Sequence, residues 1–170
     1  MSRRPVGPVA VVVLAVVAAG LVAGVASGRD ARTACTQGVK TVNGVTERTF
    51  CGSATATMVV SGKTMKLSGG NCEKTSKYFS VNIGTVVLGA TTKAKPNYFG
   101  LDVGQILGSA TPPAGHDGTY TKGVIIALDY AGKGYAIIGG TAKLQGNRTH
   151  GTLSARTLDG NKTVTGSFHC

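Results

Sequence analysis

The chain has 170 residues, with 18 Lys+Arg against 7 Asp+Glu, a formal charge of +11 and 42% apolar residues. That apolar share is too high for a chain that stays disordered. The absence of tryptophan and an aromatic content of only 5% leave little for the stacking surface that single-stranded nucleic acid requires.

The N-terminus reads first. Ser2, Arg3 and Arg4 form a short basic head, and no charged residue follows from Val6 to Ser27. A basic head, an apolar stretch and small residues at its end (Gly24, Ala26, Gly28) are the pattern of a secretory signal. A stretch of about 20 apolar residues is also long enough to be an uncleaved membrane anchor. In both cases the arginines stay inside and residues 29–170 face outward. The expected division is therefore a signal or anchor over 1–28 and one extracytoplasmic domain over 29–170. With Arg3 and Arg4 removed, sixteen basic residues face seven acidic ones, so that domain keeps a charge of +9.

The four cysteines, Cys35, Cys51, Cys72 and Cys170, all fall in the exported part. An even count in an oxidising compartment reads as two disulfides. No pair has C-x-x-C spacing, and no histidine stands at zinc-finger distance from a cysteine pair. Lipidation at Cys35 is not expected. Arg32 occupies the position where a lipobox carries a Leu-like residue, and Arg29 and Asp30 separate the cysteine from the apolar stretch.

From residue 30 onward helical periodicity is absent and hairpin signals recur. Asn43-Gly44 separates Val39–Val42 from Val45–Phe50, and Asn-Gly suits the φ > 0 pair of a type I′ turn. Ala54–Ser61 and Thr64–Ser68 flank a turn at Gly62-Lys63. This pairing sets Val60 opposite Met65, Met58 opposite Leu67 and Ala56 opposite Gly69, with the apolar side chains on one face and the threonines on the other. Tyr78–Leu88 reads as one long strand or two, broken at Gly84. Lys93–Pro96 is a basic turn, Tyr98–Val103 a strand, and Gly108–Gly118, with Pro112-Pro113, the longest loop. Thr119–Tyr130 and Gly134–Ile138 form a hairpin around Ala131-Gly132-Lys133. Thr141–Gln145, Gly151–Thr157 and Thr163–His169 close the chain, the last pair turned by Asp159-Gly160-Asn161. Roughly ten short strands at this spacing, in a chain with 26 glycines, predict a single all-β, antiparallel sandwich or barrel.

The same register places Cys51 opposite Lys74 and Cys72 opposite Ser53, both cysteines pointing away from the Met58 face as diagonal neighbours. That favours Cys51–Cys72 and leaves Cys35–Cys170 to tie the ends of the domain. The two other pairings stay open, because Gly52 or a bulge could break the register.

Motifs that would carry chemistry are weak. Gly62-Lys63-Thr64 resembles the end of a phosphate-binding loop, but residue 57 is Thr where the motif needs Gly, and a strand follows instead of a helix. His116-Asp117 lies in the Pro/Gly loop with no companion nucleophile. His150 and His169 add two more imidazoles without ligand spacing. The carboxylates Asp30, Glu47, Glu73, Asp102, Asp117, Asp129 and Asp159 are scattered. A glycosidase needs two that meet across a cleft; Asp102 and Glu47 stay open, with no reason to pair them. No serine sits in a G-x-S-x-G elbow. Asn147-Arg148-Thr149 and Asn161-Lys162-Thr163 match the glycosylation pattern, which matters only in a eukaryotic secretory route. No catalytic residue, metal site or cofactor is expected.

The basic excess is the one feature that reads as functional. Lys63, Lys66, Lys74, Lys77, Lys93 and Lys95 cluster mid-chain. A patch there would attract anionic envelope polymers or acidic lipid heads. The plainer role is solubility and the blunting of strand edges. Nucleic acid is not expected as a partner.

Thr49-Phe50-Cys51-Gly52 and the closing run Thr163-Val164-Thr165-Gly166-Ser167-Phe168-His169-Cys170, with Gly/Ala/Thr-rich strands between, resemble the mycobacterial lipoprotein-antigen family and similar small secreted proteins of high-GC Gram-positive bacteria. The chain departs from that family in lacking the lipobox cysteine. The resemblance implies a surface-exposed, Gly/Thr-rich β domain without a defined enzymatic role, and a Cys51–Cys170 bond. The expected function is thus a non-enzymatic secreted or surface β domain that binds anionic envelope components through a lysine-rich face. The alternatives are an envelope-directed hydrolase with dispersed acid/base residues and a carrier of a small apolar ligand.

Overall fold

The computed structural model describes residues 35–89, 95–105 and 111–170. The expected signal or anchor, Lys93 and the start of the Pro/Gly loop lie outside these residues.

The described chain is all-β, in thirteen strands: β1 Gly38–Val42, β2 Val45–Phe50, β3 Thr55–Val60, β4 Lys63–Ser68, β5 Gly70–Lys74, β6 Tyr78–Leu88, β7 Tyr98–Gly104, β8 Gly118–Tyr120, β9 Val124–Tyr130, β10 Lys133–Ile138, β11 Thr141–Gln145, β12 His150–Arg156 and β13 Thr163–His169. They form two antiparallel sheets. One has seven strands in the order β1-β2-β6-β7-β9-β10, with β5 also paired to β6; the other has six in the order β4-β3-β13-β12-β11-β8.

Period-two alternation decides which side chains go inside. Phe79, Val81 and Ile83 of β6, Phe99, Leu101 and Val103 of β7, and Ile126 and Leu128 of β9 are buried in one hydrophobic core with Met58, Leu144, Leu153, Val164 and Phe168 of the other sheet. Phe79 stacks on Phe168 across the sheets at 5.4 Å.

Several expectations hold. Asn43-Gly44 is a two-residue turn with φ of 51° and 74°, joining Val42 to its partner Val45. Asp159 supports the β12–β13 turn by accepting the Thr157 hydroxyl and, at 3.1 Å, the Asn161 amide.

Others are corrected. The β3–β4 turn is Ser61-Gly62, with φ of 49° and 81°, so Val60 pairs with Lys63, Met58 with Met65 and Ala56 with Leu67. The slip from the expected register is two residues. A slip of two returns every side chain to the same face, whereas a slip of one would turn the set inside out. Ala56, Met58, Val60, Met65 and Leu67 are therefore buried as expected, although their partners differ.

The hairpin also ends at Gly69. There the chain leaves one sheet for the other, and Cys72 pairs opposite Val81, on the inward side of β5. The cysteine pairing changes with it. The bonds are Cys35–Cys51 and Cys72–Cys170, with Cα separations of 5.8 and 5.7 Å. Neither the register-based Cys51–Cys72 with Cys35–Cys170 nor the Cys51–Cys170 bond implied by the family resemblance is formed. Thr119–Tyr130 is likewise two strands: β8 belongs to the six-stranded sheet and β9 to the seven-stranded one. Every passage between sheets contains a glycine with positive φ: Gly52, Gly69, Gly104, Gly123 and the pair Gly139-Gly140.

Candidate functional site

The outward face of the six-stranded sheet follows from the alternation that builds the core. Its strands put Ala, Met, Val, Leu and Phe inward, so the residues between them stand outward. Register then lines these up in rows across the strands. One row runs Lys66, Thr57, Ser167, Thr152, Lys143, Thr119. The next, toward one end, runs Ser68, Thr55, His169, His150, Gln145; toward the other end come Thr64, Val59, Thr165, Ser154, Thr141. Arg156 and Thr163 form a further pair. None of these outward positions is a carboxylate. The face is a hydroxyl lawn with Lys66, Lys143 and Arg156 as its fixed cations. Lys66 and Lys143 stand four strands apart, about 19 Å at the usual strand spacing.

The lysines singled out from sequence are dispersed by the fold. Lys66 belongs to the face just described. Lys63 opens β4 at the far end of the hairpin, and Lys77 lies in the turn between β5 and β6; both are exposed. Lys74 donates to the Asn147 carbonyl at 3.1 Å. Lys95 is half-buried, 3.8 Å from the Asp129 carboxylate and 3.4 Å from the Val87 carbonyl, beside the turn between β9 and β10, where it bridges Gly132. Sequence reasoning missed Lys143 and Arg156. Alternation in β11 and β12 gives their outward direction, but nothing local says that β4 shares their sheet.

Acidic groups gather on the other outward face. Glu73 of β5, Ser80 of β6 and Asp102 of β7 form one row. Burial raises the Asp102 carboxyl above the usual carboxylate range, a hydrogen bond with Ser80 opposes this, and the Glu73 charge adds to the rise. The Tyr78 hydroxyl is bonded to Glu73, which lifts the phenol above its ordinary range. Farther along, Phe50 and Tyr98 stack at 5.9 Å across Gly84, with the Arg48 guanidinium 4.8 Å from the Phe50 ring. Tyr98 donates to Asn82 Oδ1 at 2.6 Å. Burial, with the charges of Asp102 and Asp129, pushes its phenol up to about 12. Burial also raises Asp129, against the pull of Lys95. Glu47 lies in β2, paired with Lys40 and Val87, and does not share a row with Asp102.

The loop ends are fastened by Arg148, which sequence reasoning also missed as a structural residue. Its buried guanidinium donates from Nη1 to the carbonyls of Thr75 at 2.7 Å and Ala114 at 3.1 Å. Asp117 accepts the amides of Arg148 at 2.7 Å and Asn147 at 3.0 Å. Those backbone hydrogen bonds, Asn147 first, hold its carboxyl below the usual range. Asp117 is thus a turn-stabilising residue, while its neighbour His116 sits beside Tyr120, ring centroids 6.2 Å apart. Gly62-Lys63-Thr64 lies at a hairpin turn leading into a strand, as expected. Among the described residues no group of three or more His, Cys, Asp or Glu is placed to hold a metal ion.

Fold and surface together define a disulfide-linked, all-β domain of two antiparallel sheets whose outward faces differ in charge. The two disulfides mark a protein of an oxidising compartment. No family model matches the chain, and neither the curated proteins nor the solved structures include a match.

Proposed function

We propose that the protein is a non-enzymatic, secreted or surface-anchored β-sandwich domain that binds anionic envelope polymer, delivered there by residues 1–28. The observation that carries this reading is the outward face of the six-stranded sheet, with rows of Ser and Thr hydroxyls, Lys66, Lys143 and Arg156, and no carboxylate. A chain of phosphate- or carboxylate-bearing sugars or polyols presents what such a face can pair with. Its charges meet the cations, and its hydroxyls exchange hydrogen bonds with threonine and serine. The spacing of the cations favours an extended ligand over a small one.

The test is retention of the full chain on isolated cell envelope across a salt series. Binding should weaken steeply as salt screens the contacts. At about 1 kcal/mol per cation near an anionic surface, K66Q/K143Q/R156Q should bind about a hundredfold more weakly. K63Q/K77Q, altered off this face, should lose less. Absence of binding at low salt, or a triple variant that binds like the parent, would remove the reading.

A second reading, hydrolysis of envelope glycan, is favoured by the Glu73–Ser80–Asp102 row. Residues on strands next but one to each other lie about 9.6 Å apart, near the spacing of an inverting carboxylate pair, and Asp102 keeps its proton to higher pH. It requires envelope glycan to be cleaved by the parent and left intact by E73Q and D102N.

A further inference from the structure

His150 opens β12 and His169 closes β13, and the two are direct partners in the ladder. Both stand on the outward face, with ring centroids 5.6 Å apart and planes inclined by 21°. The backbone fixes the pair, because each residue belongs to a strand bonded on both sides.

The hydrogen bonding around His150 favours one free nitrogen. The Thr149 hydroxyl donates to the Gly146 carbonyl at 2.7 Å, so its one proton is spent there. Toward His150 Nδ1, 3.3 Å away, Thr149 Oγ1 acts only as an acceptor. The tautomer with its proton on Nδ1 fits this contact, and in that tautomer Nε2 keeps its lone pair. This is how metal-bound histidines are oriented, with one nitrogen held by an outer hydrogen bond and the other turned to the ion. The ring also lies close over the turn, since a Cβ on Gly146 would come within 2.5 Å of His150 Cε1.

The spacing suits one ion. The rings stand stacked, 5.6 Å between centroids; turned about their Cβ–Cγ bonds, each can aim one nitrogen at a single ion about 3.15 Å from its centroid, with bonds of about 2.05 Å and an angle of about 125° between them. The neighbours in the row, Gln145, Thr55 and Ser68, are uncharged. A neutral, nitrogen-bearing site selects late first-row cations over calcium or magnesium.

We propose that His150, through Nε2, and His169 chelate a divalent cation of the zinc and copper class, with the remaining coordination positions open to water or to an anionic ligand on the same face. The test is titration of the full chain with Zn²⁺ by calorimetry, with Mg²⁺ as control. A single equivalent of Zn²⁺ should bind. H150N and H169N should each weaken it by about a hundredfold, the gain of a second donor held at fixed distance, and H116N should leave it unchanged. Substoichiometric Cu²⁺ should broaden the Cε1–H proton signals of His150 and His169 together and spare that of His116. This second measurement needs no variant to fold. A parent that takes no Zn²⁺, a single His150 or His169 variant that binds like the parent, or equal broadening of all three histidines would overturn the proposal. None of these readouts depends on polymer binding.

Discussion

Asp102 holds its proton to higher pH than an ordinary carboxyl because it is partly buried among the strands of its sheet, and the Ser80 hydrogen bond only partly offsets that cost. Folding therefore favours its neutral form. The stability this residue allows is fully present below the unfolded carboxyl range and is lost as pH rises through the higher folded value. Asparagine mimics the neutral form, so D102N is expected to melt at a higher temperature than the parent at pH 7. The difference should close as pH falls below about 4. Melting curves over this range check it, and a D102N chain less stable at pH 7 would show that the Ser80 bond outweighs desolvation. Asp117 has the opposite sign. Backbone amides hold its carboxyl low, so its support of the Asn147-Arg148 turn is present at neutral pH and lost in acid.

At the scale of an element, β6 shows what glycine does here. It is one strand of eleven residues, yet two partners share one of its edges: β5 lies along Phe79–Ile83 and β2 along Gly84–Leu88. The changeover is at Gly84, where φ is +92° and an added Cβ would fall 2.5 Å from the Asn97 carbonyl oxygen. The missing side chain is also what allows Phe50 and Tyr98, its partners on either side, to stack over it. G84A is expected to cost about 1–3 kcal/mol, the price of a strained backbone. Urea unfolding measures this, and near-ultraviolet circular dichroism should show altered tyrosine packing. An unchanged midpoint would mean that the strand relaxes around a methyl group.

For the molecule as a whole, the two disulfides act at different ranges. Cys72–Cys170 closes a separation of 98 residues and fastens the end of the chain to the other sheet. Cys35–Cys51 closes only 16. On loop-closure entropy the longer bond contributes about 4.7 kcal/mol and the shorter about 3. C72S/C170S should therefore lower the unfolding free energy more than C35S/C51S. Non-reducing peptide mapping of the parent should recover 35–51 and 72–170 as linked peptides with no free thiol. Recovery of a 51–72 peptide would contradict the fold, which sets Cys51 against Cys35 and Cys72 against Cys170.

Much of the architecture was legible because alternation has period two. Met58, Val60, Met65 and Leu67 announce their inward direction whatever their partners, and Asn43-Gly44 announces its turn. The same periodicity hides what it does not constrain. A slip of two residues keeps every side chain on its face, so the pattern alone could not tell Ser61-Gly62 from Gly62-Lys63 as the β3–β4 turn. It could not say that the chain changes sheet at Gly69 and at Gly123, because a glycine with positive φ reads locally as any other turn glycine. The cysteine partners depended on that crossing. The carboxylate-free outward face depended on a further step, the order of strands: Lys66 and Lys143 share a row, and His150 meets His169, only because β4, β3, β13, β12 and β11 lie side by side. By itself the sequence determined an all-β domain, its inward and outward residues and its basic charge, because these follow from local periodicity and composition. Tertiary structure alone decided which strands are neighbours, and so which cysteines, cations and imidazoles meet, because strand pairing is a long-range choice among edges of similar local character.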